Sequence, residues 1–181
     1  YGTPTAGNPG RPITVAGGPE VVFAGAKDTP LAWTVNAPYW RLQDFSIEPG
    51  TDPRPGQKPA WVAVRSAGSH AQLHQITMRR DGDIADAKRW NDFGIVVEGP
   101  HTLITAMRMY GMTKPIHVKG PAIGVTIKSN HIGPAYQSCI VMGSSLGVMR
   151  QCLIAFNVLE GSYIEDAIQF MPNYDAANVE A

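Results

Sequence analysis

Four side chains stand out for what their spacing would allow: Arg65, Glu98, His117 and Lys119. Each flanks an alternating apolar pair (Val62/Val64, Ile95/Val97 or Ile116/Val118), so each falls on the outward parity of a short strand. On stacked strands about 4.8 Å apart, Arg65, Glu98 and Lys119 form a plus–minus–plus row, with His117 beside its end. A guanidinium such as Arg65 can clamp a carboxylate, and Lys119 or His117 can serve as a base if its pKa falls near the working pH. Glu98 beside Lys119 opposes that role, because a neighbouring anion favours the charged, non-basic lysine. The plainer and weightier reading is an exposed ion-pair ladder, worth about 0–1 kcal/mol per pair.

Other groupings are weaker. Glu165 and Asp166 are paired carboxylates that can ligate calcium or serve as acid and base in glycoside hydrolysis. Adjacent residues at a strand entry point to opposite sides, however, and only Glu160, Asp175 and Glu180 lie near enough in sequence to complete a calcium site. Gly143–Gly147 spells G-x-S-x-G, but a nucleophile elbow needs a strand–turn–helix setting and a downstream histidine. All five histidines precede Ser145, so the segment reads as a Gly/Ser loop. His70 and His74 have the spacing of a helical zinc pair, yet they fall in a strand-like stretch where four residues span about 13 Å. Cys139 and Cys152 read as reduced, packed thiols.

The elements that carry these residues form a repeat. A short alternating run, a turn with Gly or Pro, a second run and a polar turn recur most clearly in Phe93–Met112 and Lys114–Pro134. Looser copies occupy Leu31–Gly50, Ala60–Arg80 and Ser138–Gly161, and another begins at Ala167. The first apolar pairs are Trp33/Val35, Val62/Val64, Ile95/Val97, Ile116/Val118, Ile140/Met142 and Ile168/Phe170. Ile47, Met78, Met109, Ile132 and Leu159 follow in step, separated by 31, 31, 23 and 27 residues. A repeat of this length means a solenoid, and the i, i+2 alternation makes it one of strands.

The sequence therefore predicts an all-β, right-handed parallel β-helix of about six coils, one domain over residues 1–181, with insertions near 50–59 and 81–92. Handedness follows from the general rule for parallel crossovers. The best helix candidate is the short stretch Ile84–Trp90. A β-sandwich is the alternative, but it needs more hairpin turns than the single Asp81-Gly82 supplies. Asn130 and Asn157 occupy matching turns, where Asn tolerates left-handed angles and bonds its own chain. Outward positions include Thr34, Ala63, Val96, Val141 and Gln169, while Trp61 and Tyr39 are candidate outward sugar platforms. Tyr1 and the break after Ala167–Met171 suggest a fragment incomplete at both ends, whose cut strand edges predict poor stability or aggregation.

Composition narrows the partners. Of 181 residues, 44% are hydrophobic and 17% charged, and fifteen basic residues cancel fifteen acidic ones. This balance gives no reason to expect nucleic acid or an anionic membrane surface. No apolar run is long enough to span a bilayer.

Gly10–Val15 (GRPITV), Val21–Gly25 (VVFAG) and Glu165–Phe170 (EDAIQF), with the repeats between them, resemble bacterial right-handed β-helix proteins of the pectate-lyase-like superfamily. The resemblance implies a secreted or periplasmic protein acting on acidic polysaccharides at an outer strand face. Cations there bind the uronate carboxylate and a base removes the adjacent proton. On that footing Arg65, His117 and Lys119 are the catalytic candidates, and Glu98, Gln169, Trp61 and Tyr39 the substrate contacts. Glu165 and Asp166 are the calcium candidates. A non-catalytic glycan-binding or structural β-helix is the competing class, and a glycoside hydrolase the third.

Overall fold

The computed structural model describes residues 5–25, 33–48, 60–80, 93–120, 122–143 and 149–171. Their alternating apolar runs form eighteen short strands, and no helix occurs among the described residues. One sheet holds β3 (Trp33–Val35), β5 (Ala60–Val64), β7 (Phe93–Val97), β10 (Lys114–Val118), β14 (Ile140–Met142) and β18 (Ile168–Phe170), stacked in that order.

The larger sheet holds ten strands, some of them on the same rung. They are β1 (Ile13–Ala16), β2 (Val22–Ala24), β4 (Trp40–Glu48), β6 (Gln72–Arg79), β8 (Leu103–Thr105), β9 (Arg108–Tyr110), β12 (Thr126–Lys128), β13 (His131–Ile132), β16 (Leu153–Ala155) and β17 (Val158–Leu159). β11 (Ala122–Ile123) and β15 (Met149–Arg150) pair separately. Every strand pairing is parallel, which excludes the antiparallel sandwich and makes the chain a parallel β-solenoid.

The expected register holds residue for residue. Trp33, Val62, Ile95, Ile116, Ile140 and Ile168 are partners down the six-stranded sheet. Ile47, Met78, Met109, Ile132 and Leu159 are partners down the other. The solenoid has about four turns rather than six. The proposed insertions, Asp81-Gly82 and Ile84–Trp90 lie outside the described residues.

Each inward column buries branched or thioether side chains: Val35, Val64, Val97 and Val118 on one side, Leu42, Leu73, Ile104 and Ile127 on the other, all fully buried. At the N-terminal end Phe23 packs edge-on against Trp33 (5.3 Å) and Phe45 (4.9 Å), covering the first rungs with aromatic surface.

Two corners bend every coil, and they contain all nine non-glycine residues with positive φ among the described residues. The first corner carries Tyr39, His70, His101 and Gln151, with Gly124 on the intervening rung. The second carries Asp44, Gln75, Ala106, Ser129 and Phe156, with φ between 50° and 61°. The left-handed residue is thus the one before each asparagine, and Asn130 and Asn157 are not themselves left-handed. Asn130 turns inward, where its Nδ2 donates to Ile104 O (3.2 Å) and to Asn157 Oδ1 (2.9 Å). Its Oδ1 accepts from the Met107 amide (2.9 Å). Asn157 Nδ2 donates to Ile127 O (2.9 Å), so the two side chains form a ladder that satisfies buried backbone at the bend.

Candidate functional site

The charged row lies on the outer face of the six-stranded sheet. Val64, Val97 and Val118 are register partners, so Arg65, Glu98 and Lys119, which follow them, stand on consecutive rungs. Arg65 Nη1 bonds Glu98 Oε1 at 3.1 Å, with the Arg65 side chain half exposed. Lys119 Nζ lies 5.8 Å from the Phe93 ring centroid, a cation–π contact. Arg65 and Glu98 therefore realise part of the expected ion-pair ladder, and Lys119 turns to an aromatic face.

The surrounding outward positions are not exposed. Ala63, Val96 and Val141 are 4% exposed or less, and His117 is 8% exposed. Its ring packs against Phe93 at 5.4 Å, and its Nε2 faces Gly143 O at 3.3 Å. That contact fixes the tautomer with the proton on Nε2, leaving Nδ1 a buried acceptor without a hydrogen-bond partner. Burial lowers the His117 pKa to about 4, with Lys119 and Lys114 adding to the effect against the opposing bond to Gly143. The imidazole is neutral near pH 7 and enclosed, so a substrate reaches its lone pair only if the face opens.

Trp61 is 1% exposed, with the Arg80 guanidinium 5.8 Å from its ring, and so is no outward sugar platform. Alternation alone made it outward, and the covered face overrides that inference. Tyr39 is part of a turn stack: its ring lies 4.7 Å from His70 at 6°, and His70 lies 4.7 Å from His101 at 14°. The stack ends at Gly124, where a Cβ would lie 2.5 Å from His101 Nδ1.

Gln169 lies beside Val141 in register and is partly exposed. Glu165 accepts a bond from Ser138 Oγ (3.0 Å), and Asp166 is exposed. Glu160 pairs with His131, Asp175 and Glu180 lie outside the described residues, and no group of three or more His, Cys, Asp or Glu placed to hold a metal occurs among the described residues. His70 sits in the corner stack, while His74 Nδ1 bonds Thr105 Oγ1 (2.8 Å). Ser144–Gly147 of the G-x-S-x-G segment lie outside the described residues. Cys139 and Cys152 are thiols and form no disulfide with each other, and burial raises the Cys139 thiol to about 11.

A concavity lies elsewhere, along the second corner of the larger sheet. It is an open groove of about 1010 Å³. Its length follows from the left-handed residues, because repeating one bend on every rung turns it into a trough along the stack. From Asp44 to Phe156 it crosses five rungs, a length of about 19 Å at the inter-strand spacing.

The trough wall is the outward column Ser46, Thr77, Arg108, His131 and Val158, register partners in sequence. Gly17 lets the β1–β2 connection close one end: a Cβ there would lie 2.8 Å from Asp44 O and 2.9 Å from Phe45 Cβ. His131 is held by the Glu160 carboxylate and by the Tyr110 ring edge at 5.6 Å. Arg108 is exposed and has no ion-pair partner among the described residues. These wall residues directly precede the landmarks Ile47, Met78, Met109, Ile132 and Leu159, so the repeat held the signal. The bend that makes a groove of them was not visible in it.

No family profile, curated protein or solved structure matches this chain. Among the described residues there is also no helix long and apolar enough to cross a membrane.

Proposed function

We propose that this parallel β-helix binds an extended acidic polysaccharide along the corner groove, as a carbohydrate-binding module. The observation that carries this reading is the groove itself: an open trough that repeats hydroxyl, amide and guanidinium side chains at the inter-rung spacing. Ser46, Thr77, Gln75 and Ser129 offer donors and acceptors for sugar hydroxyls. Arg108 presents its guanidinium fork for a carboxylate or sulfate on the polymer. The length favours a chain over a compact ligand, and the volume is at the upper end of the range of small-molecule pockets.

A second reading, lyase-type proton abstraction, is favoured by one observation on the other face. His117 holds a neutral, unpartnered Nδ1 beside Lys119 and Lys114, groups that could bind the acid while a base removes the proton. Its enclosure counts against it, as does the engagement of Lys119 with Phe93. Hydrolase chemistry lacks support, because Asp44 is the one carboxylate among the residues that line the groove.

The test is affinity electrophoresis on alginate, pectate and chondroitin, with and without calcium, alongside ultraviolet absorbance for an unsaturated product. Retention without absorbance, weakened in Arg108→Ala, supports the binding module. A rise in absorbance that disappears in Lys119→Ala moves the function to the other face. Neither retention nor absorbance sinks both.

A further inference from the structure

The second corner divides the outward polar residues of the larger sheet into two sets. Ahead of the bend they are tied to one another across rungs. Arg41 Nε donates to Gln72 Oε1 (2.8 Å), and His74 Nδ1 bonds Thr105 Oγ1 (2.8 Å). Along the groove, the side chains of Ser46, Gln75, Thr77, Arg108 and Ser129 have no hydrogen-bond partner among the described residues. Gln75, Thr77, Arg108 and Ser129 stand on rungs that are paired on both sides, so the stack itself leaves them open.

Charge on this lining is sparse. Arg108 carries the positive charge and Asp44 the negative one, two rungs apart, a step of about 10 Å at the inter-strand spacing. Asp44 gives one oxygen to Gln43 Nε2 (2.7 Å), and its other oxygen has no partner among the described residues. His131, one rung beyond Arg108, is held by Glu160 and adds no unpaired cation. Lys128 and Arg79 are exposed but lie outside the lining.

A pyranose advances an extended chain by close to the inter-strand spacing, so a polymer laid along the stack sets about one sugar on each rung. A chain acidic on every sugar brings one carboxylate to Arg108 and another to Asp44, where like charges repel along a concave wall. We infer that the groove selects an acidic polysaccharide with isolated charges: Arg108 takes one carboxylate, and Asp44 turns away chains that are acidic on every sugar. This rests on the reading of the groove as a polysaccharide site and narrows its ligand to a linear, sparsely charged heteropolysaccharide. Neutral sugars on either side of the acid then meet Ser46, Gln75, Thr77 and Ser129 with their hydroxyls. Specificity comes from the repulsive element as much as from the attractive one.

The experiment measures binding of three sodium-form oligosaccharides by calorimetry, with thermal unfolding recorded for each variant. Gellan carries one uronate in each tetrasaccharide repeat, polygalacturonate one at every sugar, and cellulose none. The unaltered chain should bind the gellan fragment at least about fivefold more tightly than either of the others. Arg108→Gln should abolish the preference for gellan over cellulose. Asp44→Asn keeps a residue suited to the left-handed corner and an oxygen for Gln43. It should raise polygalacturonate affinity at least about threefold and leave gellan unchanged. Added salt needs no variant: it should weaken gellan binding and narrow the gap to polygalacturonate. A gap that salt does not narrow, or polygalacturonate affinity unchanged in folded Asp44→Asn, overturns the charge selection. Polygalacturonate bound as tightly as gellan, with both lost in Arg108→Gln, overturns it too and leaves the groove reading standing. Cellulose bound as tightly as gellan overturns the role of Arg108. No binding of any oligosaccharide by the unaltered chain ends both readings.

Discussion

The two outer faces of this solenoid are built by the same alternation and end in opposite states. On the six-stranded sheet the outward residues Ala63, Val96, His117 and Val141 are buried, and only the margin carries solvent-facing charge such as Arg65. On the ten-stranded sheet the outward column Ser46, Thr77, Arg108, His131 and Val158 is at least partly exposed and lines a trough. Parity along a strand decides which side of the sheet a residue faces. It does not decide whether that side meets water. The difference teaches that an outward charge row can be marginal while a modest polar column lines a trough, because a left-handed corner gives the second face its shape.

The comparison breaks most sharply under matched substitutions. Ala63→Asp places a carboxylate on the closed face between Thr34 and Val96 and should destabilise the protein by about 3 kcal/mol or more. Thr77→Asp, at an outward position of the open face, should change stability by no more than about 0.5 kcal/mol. Denaturant unfolding of both variants measures the contrast, and equal costs would mean that the two faces are equally solvated.

Acid titration sharpens it further. His117 has a folded pKa near 4 against an ordinary value of 6.5, so the unfolded chain takes up the proton first as the pH falls. The contribution from this residue is fully present above pH 6.5 and is lost between there and about pH 4, by up to about 3 kcal/mol. His117→Leu should flatten the pH dependence of unfolding in that window relative to the unaltered chain.

The smallest of the three effects tests the corner. Asn130→Ala removes the acceptor for the buried Met107 amide and the donor to Ile104 O, and should cost about 2 kcal/mol. Hydrogen exchange should show the loss first at the Met107 amide. Protection unchanged at Met107 would mean that the ladder does not hold the bend.

Much of the fold was legible because a solenoid writes its register into the sequence. Ile47, Met78, Met109, Ile132 and Leu159 recur at unequal spacings, yet they pair as expected, since an inward apolar position can tolerate a longer or shorter turn but not a change of side. Asn130 and Asn157 were legible as turn residues. Their hydrogen bonds to neighbouring rungs depend on the stacking of separate coils, and the left-handed angle passed to Ser129 and Phe156.

The site was far less legible. Arg65 and Glu98 pair as their positions suggested, whereas Trp61 and His117 are outward by parity and buried in fact. Burial of an outward side chain depends on what lies over the sheet, and no local pattern carries that information.

The sequence by itself determined the strand period, the parallel stacking and the identity of the inward columns, because those follow from local alternation repeated down the chain. Tertiary structure alone decided which outward column is open. It brought Phe156, Ser129, Arg108 and Thr77, distant in sequence, onto one trough, and it withdrew His117 from solvent. Exposure and concavity are properties of neighbouring surfaces, and they arise only when separate coils are placed against one another.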